Sequence, residues 1–401
     1  RSAALANSFA ARARGYEAPF WNPANLGLPD RPRWSFGLVG ISTSLSNNSL
    51  TYGQITGLYG RFLDDATKSK LLADIRGANP DGTIQLDVEA GGSFAGVSVG
   101  RFAFAFGTMA GGNADLSADA AELLLFGNDG EDGLGKDFDF SGSSGQGWWM
   151  TGGSVSYGHP FRLALKDGTG LDLSFGVTFK YGVSHGLLRF SDRGTVITAE
   201  PLAVDALAER VRTDLGDAGR FWAFDLGIAG QWKDLVAGIS VHNIVGDVSW
   251  DLDQVELTAY RAEADFSRTT TTASSFTYSE LGPEETARLG KVLDELDVPT
   301  RLRIGGAYRV SRKVSLSADY YDFIGGELRG VWDHTLAVGG EFDLIRVVPL
   351  RVGLATNFSQ LAITAGAGLW LGVFHADLAL GRWGIVKGDG VSLALSVSFW
   401  P

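Results

Sequence analysis

Apolar and polar residues alternate with a period of two along most of the chain. Between 171 and 183, Leu171, Leu173, Phe175, Val177, Phe179, Tyr181 and Val183 share one parity, and Asp172, Ser174, Gly176, Thr178, Lys180 and Gly182 the other. Val314, Leu316, Ala318 and Tyr320 oppose Lys313, Ser315, Ser317 and Asp319 in the same way. So do Val391, Leu393, Leu395, Val397 and Phe399 against Ser392, Ala394, Ser396 and Ser398. Successive side chains of a strand point to opposite faces, so these runs predict strands with one greasy and one polar face. Fourteen segments qualify: 33–44, 83–98, 101–113, 147–158, 170–190, 220–232, 235–250, 300–310, 313–323, 329–343, 349–357, 360–370, 373–383 and 390–400.

The connectors sort into two alternating sets. One set, at 99–100, 159–169, 233–234, 311–312, 344–348 and 371–372, is mostly short. The other, at 45–82, 114–146, 191–219, 251–299, 324–328, 358–359 and 384–389, has four long members. A soluble sandwich also alternates, but strands of ten or more residues joined by alternately short and long connectors match a tilted membrane crossing in a closed sheet. The expected fold is all-β, a 14-stranded antiparallel transmembrane β-barrel over 33–401. An even strand number puts both termini on the short-turn side, which in an outer-membrane barrel is the periplasm. Within the long loops, 61–77, Ala118 to Leu125, Val204 to Leu215 and 284–297 have helical spacing.

Composition agrees with a barrel. The 401 residues include 55 Gly, 11% aromatics, two Met and no Cys. No run approaches the roughly twenty apolar residues of a membrane helix. The missing cysteines exclude disulfides, thiolate metal sites and thiol nucleophiles. A formal charge of −12 argues against a nucleic-acid partner, whose phosphates need a cationic face. The chain starts at Arg1 without an initiator Met, as expected after removal of a secretory signal, although trimming would leave the same start. Its last strand finishes at Phe399, followed by Trp400 and Pro401, and resembles the aromatic-ended signal read by the outer-membrane barrel assembly machinery.

Residues 1–32 do not alternate. From Ala10 to Leu28 they are apolar and broken by proline, a composition unlike a disordered tail, and the lumen is the place for them, as a plug or hatch. The run Phe20-Trp21-Asn22-Pro23-Ala24-Asn25-Leu26 resembles the Asn-Pro-Ala element of FadL-type barrels. The resemblance covers the whole chain in architecture but only this region in motif. It implies a fourteen-stranded outer-membrane channel for long-chain fatty acids or other hydrophobic compounds, with an N-terminal hatch to which Phe20, Trp21, Asn22, Pro23 and Ala24 belong. Related PorV-type barrels imply instead a scaffold presenting a protein partner at the external loops. Read without the resemblance, the Asn-Pro step is a turn leading into the first strand.

In the second strand, Ile84, Leu86, Val88 and Ala90 share one parity and Ala95, Val97 and Val99 the other. A slip across Gly91, Gly92 and Ser93 implies a bulge, since otherwise half the strand would face the wrong solvent. The resemblance adds the alternative of a lateral opening toward the bilayer. Asp87, Glu89, Lys180, Asp225, Arg301, Arg303, Arg309, Asp319, Asp333, Glu341, Arg351 and Asp377 have inward parity. Each would cost about 2–4 kcal/mol facing mid-membrane lipid. With both signs present, pairing across the lumen is the preferred reading and a hydrated path for polar solutes, as in a porin, the other. Membrane lipids and a hydrophobic small molecule are the expected partners.

No enzyme chemistry is legible. Asn128-Asp129-Gly130-Glu131-Asp132-Gly133 lacks the spacing of a calcium loop and reads as a solvated acidic turn. Gly130 to Lys136 mimics a phosphate-binding loop but lacks the following Ser or Thr. The five histidines, His159, His185, His242, His334 and His375, are scattered, and there is no nucleophile elbow. No metal or other cofactor is expected.

Overall fold

The strands of the computed structural model run in chain order as β1 (Trp34–Asn47), β2 (Ile84–Val99), β3 (Phe102–Leu116), β4 (Phe138–Asp139), β5 (Ser144–Ala164) and β6 (Gly170–Asp192). Then come β7 (Val196–Thr198), β8 (Ala203–Thr213), β9 (Gly219–Trp232), β10 (Leu235–Trp250), β11 (Val255–Ala264) and β12 (Thr269–Thr277). The last are β13 (Thr300–Arg309), β14 (Val314–Ile324), β15 (Thr335–Ile345), β16 (Val348–Thr356), β17 (Leu361–Leu371), β18 (Phe374–Trp383) and β19 (Asp389–Phe399). The structure describes all residues except 59, 61, 80–81, 165–169, 199–202, 266–267, 327, 329–331, 346 and 386–387. The start of the expected strand 329–343 and parts of the connectors 159–169, 191–219, 344–348 and 384–389 therefore lie outside the described residues.

Fourteen of these strands, β1–β3, β5, β6, β9, β10 and β13–β19, pair antiparallel with their neighbours. The ring closes where β1 meets β19, from Phe36↔Phe399 to Asn47↔Asp389. Closure leaves the wall no unpaired edge, which is the condition for a sheet to sit in lipid. The outward parity is apolar and stands exposed: Ile41, Leu86, Phe104, Ile228, Ile304, Val352 and Leu395 are between 45% and 57% accessible. An apolar belt around a closed barrel whose inward residues are polar faces lipid, not water. Trp34, Phe102, Trp232 and Tyr308 lie close to the short turns, where amphipathic rings mark an interface.

The wall has two heights. The seven strands β1–β3, β5, β6, β9 and β10 run 14–23 residues, whereas β13–β19 run 9–11. Part of the excess, Gly158–Ala164 of β5 with the start of β6, stands at the short-turn end, and the rest at the long-loop end. There β8 pairs with the overhang of β6 at Leu188–Asp192, β11 with β8, and β12 with β11. This corrects the helix expected over Val204 to Leu215. The stretch holds two Ala, two Leu and two Arg, all helix formers, yet the unpaired edge of β6 needs backbone partners, and that demand outweighs propensity.

Helices form where the spacing predicted them at α2 (Asp65–Arg76), α3 (Ala118–Phe126) and α4 (Pro283–Glu295), and a further one that the spacing did not flag precedes them, α1 (Tyr52–Leu58). The Asp64 carboxylate accepts from Thr67 N at 2.9 Å and the Ser117 hydroxyl from Ala120 N at 3.3 Å. Pro283 opens α4, where its missing N–H costs nothing. A further correction concerns β5, which continues through His159 to Ala164, so the expected turn at 159–169 starts later.

Candidate functional site: an occupied lumen

The N-terminal segment lies inside the ring. It folds as three 3-10 turns, Ser2–Leu5, Gly15–Phe20 and Pro23–Gly27, and touches every barrel strand. Tyr16 N donates to Ser35 Oγ of β1 at 2.8 Å, and Ala6 N to Thr364 Oγ1 of β17 at 2.9 Å. Between these, Phe9 N and Ala10 N both donate to Asp319 Oδ2 of β14, at 3.0 and 2.8 Å. Leu5, Phe9, Ala18, Ala24 and Leu26 are fully buried.

The Asn-Pro element is the joint between segment and tall wall. Asn22 caps the third turn, its Oδ1 accepting from Ala24 N at 3.0 Å. Its Nδ2 donates outward to Ile228 O at 3.1 Å and Ile239 O at 3.3 Å, linking β9 and β10. Pro23 occupies the first position of the turn, and Ala24 packs against Ala229 and Val236. The Trp21 carbonyl accepts from Ser240 Oγ at 2.7 Å and faces His242 Nε2 at 2.9 Å. The Trp21 ring meets Phe9 edge-on, while Phe20 is 45% exposed. Room for this close approach comes from wall glycines. A Cβ on Gly176 would stand 2.1 Å from Ala24 N, and one on Gly353 would stand 2.4 Å from Ala6 N. Only a residue without a side chain fits backbone against backbone there.

Most of the inward charges belong to compact groups. Arg351, buried, bridges Glu341 (Nε–Oε2 2.5 Å) and Asp377 (Nη1–Oδ1 2.6 Å). Glu341 also receives Arg12 of the segment, and Arg1 at 3.8 Å. Arg303 pairs with Asp319 at 3.5 Å, donates to Asn7 O at 3.2 Å, and lies over the Trp21 and Tyr321 rings. Lys180 pairs with Asp225 at 2.8 Å, and Asp225 also meets His242 Nδ1 at 3.0 Å. Arg301 stacks over Phe323, Asp87 and Glu89 are half-buried, and Arg309 is exposed at the short-turn rim. Asp333 precedes β15, which begins at Thr335, so it lines a lumen cavity from a loop and not by strand parity. Its Oδ1 caps the long-loop end by accepting from Phe323 N and His334 N, each at 3.0 Å. Asp322, Asp333 and His334 gather there with ligand atoms within 4.8 Å of one another.

In β2 the pairing with β3 slips by one residue between Ser93 and Ala95, leaving Phe94 as the extra residue. The pairing of β1 with β19 slips likewise between Gly37 and Val39, at Leu38. Gly91, Gly92 and Ser93 pair regularly with Met109, Thr108 and Gly107. The β1–β2 hairpin keeps one register across both slips, so the irregularities face each other and bend the two strands together.

The long-loop half of the lumen is divided. On the tall-wall side the apolar face of α4, through Leu289 and Leu293, packs on Trp148, Met150, Leu187, Val211 and Leu257. Apart from it lies a polar cavity of about 580 Å³ between β2, β3 and β5 and the loops of the short wall, with Asn48, Gln85, Asp87, Asn113, Asp115, Gln146 and Asp333 in its wall. In the acidic loop, Glu122 receives Arg76 and Lys136, each at 2.7 Å. Burial alone would raise its pKa, but the Lys136 hydrogen bond and Arg76 hold it below the usual carboxylate range.

Sequence parity placed these wall charges inward but missed Arg1, Arg12, Asn25, Ser240 and Thr364. Asn25 Nδ2 ties the segment to itself at Ala10 O, 2.7 Å, and Ala13 O, 3.0 Å. The available signal for the segment's own residues was Arg and Asn inside an otherwise apolar stretch.

No protein-family model and no curated protein sequence matches the chain. Solved structures do. The CymD monoaromatic hydrocarbon channel is similar at 11% identity and TM-score 0.50, over 99% of this chain and 95% of that one. The Pseudomonas putida toluene transporter TodX aligns at 12% identity and TM-score 0.47, over 99% and 98%. A Pseudomonas aeruginosa FadL homologue aligns at 14% identity and TM-score 0.48, over 99% and 97%. On the similarity to CymD, the fold implied by the resemblance to FadL-type barrels is the fold this chain has.

Proposed function

We propose that the protein is a passive outer-membrane channel of the FadL type, which admits a hydrophobic small molecule and has residues 1–32 as its hatch. The observation that carries this reading is the N-terminal segment seated in the lumen and hydrogen-bonded to β1, β9, β10, β14 and β17. The similarity to a monoaromatic hydrocarbon channel supports the substrate class, with fatty acids as a further candidate. Capture takes place at the long-loop end, the external one in this reading, where lifting α4 bares the apolar residues it covers, Trp148, Met150 and Leu257 among them. Passage then requires only that the hatch shift, with no bond made or broken. A polar-solute channel is the second reading, favoured by the polar cavity.

Ser8 Oγ and Ser317 Oγ lie 3.0 Å apart, and the chain has no cysteine, so the pair S8C/S317C forms a clean lock. Oxidised protein in liposomes is expected to lose labelled-toluene uptake and regain it on reduction. Equal uptake in both states overturns the hatch. Uptake of glucose but not toluene replaces the first reading with the second.

A further inference from the structure

The sheet appended to the tall wall ends in an open edge. β12 pairs with β11 without a break, from Glu256↔Thr277 to Ala264↔Thr269, and among the described residues no strand pairs with its other side. The nine residues of β12, Thr-Thr-Thr-Thr-Ala-Ser-Ser-Phe-Thr, include no charge and no proline. All but Thr270 are exposed. Natural sheets blunt an edge of this kind with lysine, proline, a bulge or a covering element, and β12 has none of these. Beside the end of this strand, Tyr278, Leu281, Ala287 and Gly290 wall an open groove of about 600 Å³, which Lys291 and Asp294 also line.

We propose that β12 and this groove form a docking surface for an extended segment of another protein. The segment adds as a further antiparallel strand, and an aromatic or aliphatic side chain at its leading end enters the groove. Main-chain hydrogen bonds supply affinity in such strand addition, and the side-chain pocket supplies selection. A second copy of this chain is the wrong occupant. Joining two identical edges into one sheet needs a two-fold axis perpendicular to that sheet. The sheet continues the barrel wall through β6 and β8, so that axis lies across the barrel axis. It would relate barrels of opposite orientation, which one membrane does not hold. The inference goes beyond the channel reading and does not depend on it.

The probe is a fluorescein-labelled nine-residue peptide, an N-terminal Trp followed by alternating Thr and Val, added to the full-length protein in detergent micelles. Antiparallel addition sets its Trp beside Tyr278. Saturating peptide is expected to slow hydrogen exchange in Thr269–Thr277, and Thr272→Lys or Ser274→Lys to weaken binding at least about tenfold. Gly290→Leu, which fills the groove, is expected to weaken it less while leaving exchange in β11 unchanged. Unchanged exchange in β12, or equal binding of a peptide N-methylated at alternate residues, overturns the proposal. So does a dimer cross-linked through Thr272→Cys at the protein's working concentration.

Discussion

The two walls of the barrel do different work. The short wall, β13–β19, is little more than a membrane crossing, and it holds Arg303–Asp319 and the Glu341–Arg351–Asp377 group that receives Arg1 and Arg12. Among the described residues the tall wall meets the segment without ion pairs, through backbone at Gly176, Ile228 and Ile239 and the side chains of Ser35, Ser240 and His242, and carries the long-loop sheet and the seat of α4. Charge anchors the segment on one side and shape receives it on the other.

The sharpest break of this contrast is Arg351→Ala. It strands the Asp377 carboxylate and leaves Glu341 to Arg12 and Arg1, and a loss of about 3–5 kcal/mol is expected in urea unfolding. Ser156→Ala, which removes the buried pair with Thr178 (2.8 Å) in the tall wall, should cost only about 1 kcal/mol. Equal losses would erase the distinction. Next, Leu293→Ala should cost roughly 2–5 kcal/mol locally. Limited proteolysis should then cut near α4 while the barrel's unfolding midpoint stays put.

Gly176→Ala sets a methyl against the Ala24 backbone, at about 1–3 kcal/mol. Faster exchange at Ala24 with an unchanged short-wall network would place the yielding contact on the tall side. The smallest effect is acidic. Hydrogen bonding to Arg212 lowers the Glu256 pKa to about 2, so its contribution to the β8–β11 pairing is complete above the ordinary carboxylate value and lost as pH falls toward 2. Exchange protection in Val255–Ala264 should be flat from pH 8 to about 5 and fall only below that. Loss at neutral pH would implicate other groups.

The fourteen crossings were legible because lipid outside and polar contacts inside impose a strict period of two, as at 171–183. The loop sheet was not. Val204 to Leu215 has the composition of a helix, and only the overhang of β6, a property of the folded wall, makes it a strand. Asp333 lines the lumen cavity from a loop, where strand parity has no bearing. The lumen charges were legible as inward but not as partners. Parity fixes a side chain's face, whereas the Arg12–Glu341 contact links positions 329 residues apart.

The seam between β1 and β19 gives the molecule a history. The Ala6–Thr364 hydrogen bond spans 358 residues, so the leading segment and the last strands meet only once nearly the whole chain has been made. Loops that long close slowly, because their entropy must be lost before the contact rewards it. The wall is thus wrapped around its own beginning, with the N-terminus as a mandrel and the final strand as the clasp. A chain that lost its first thirty residues would still have every rung of the ladder to form, but nothing at the centre to gauge the circumference.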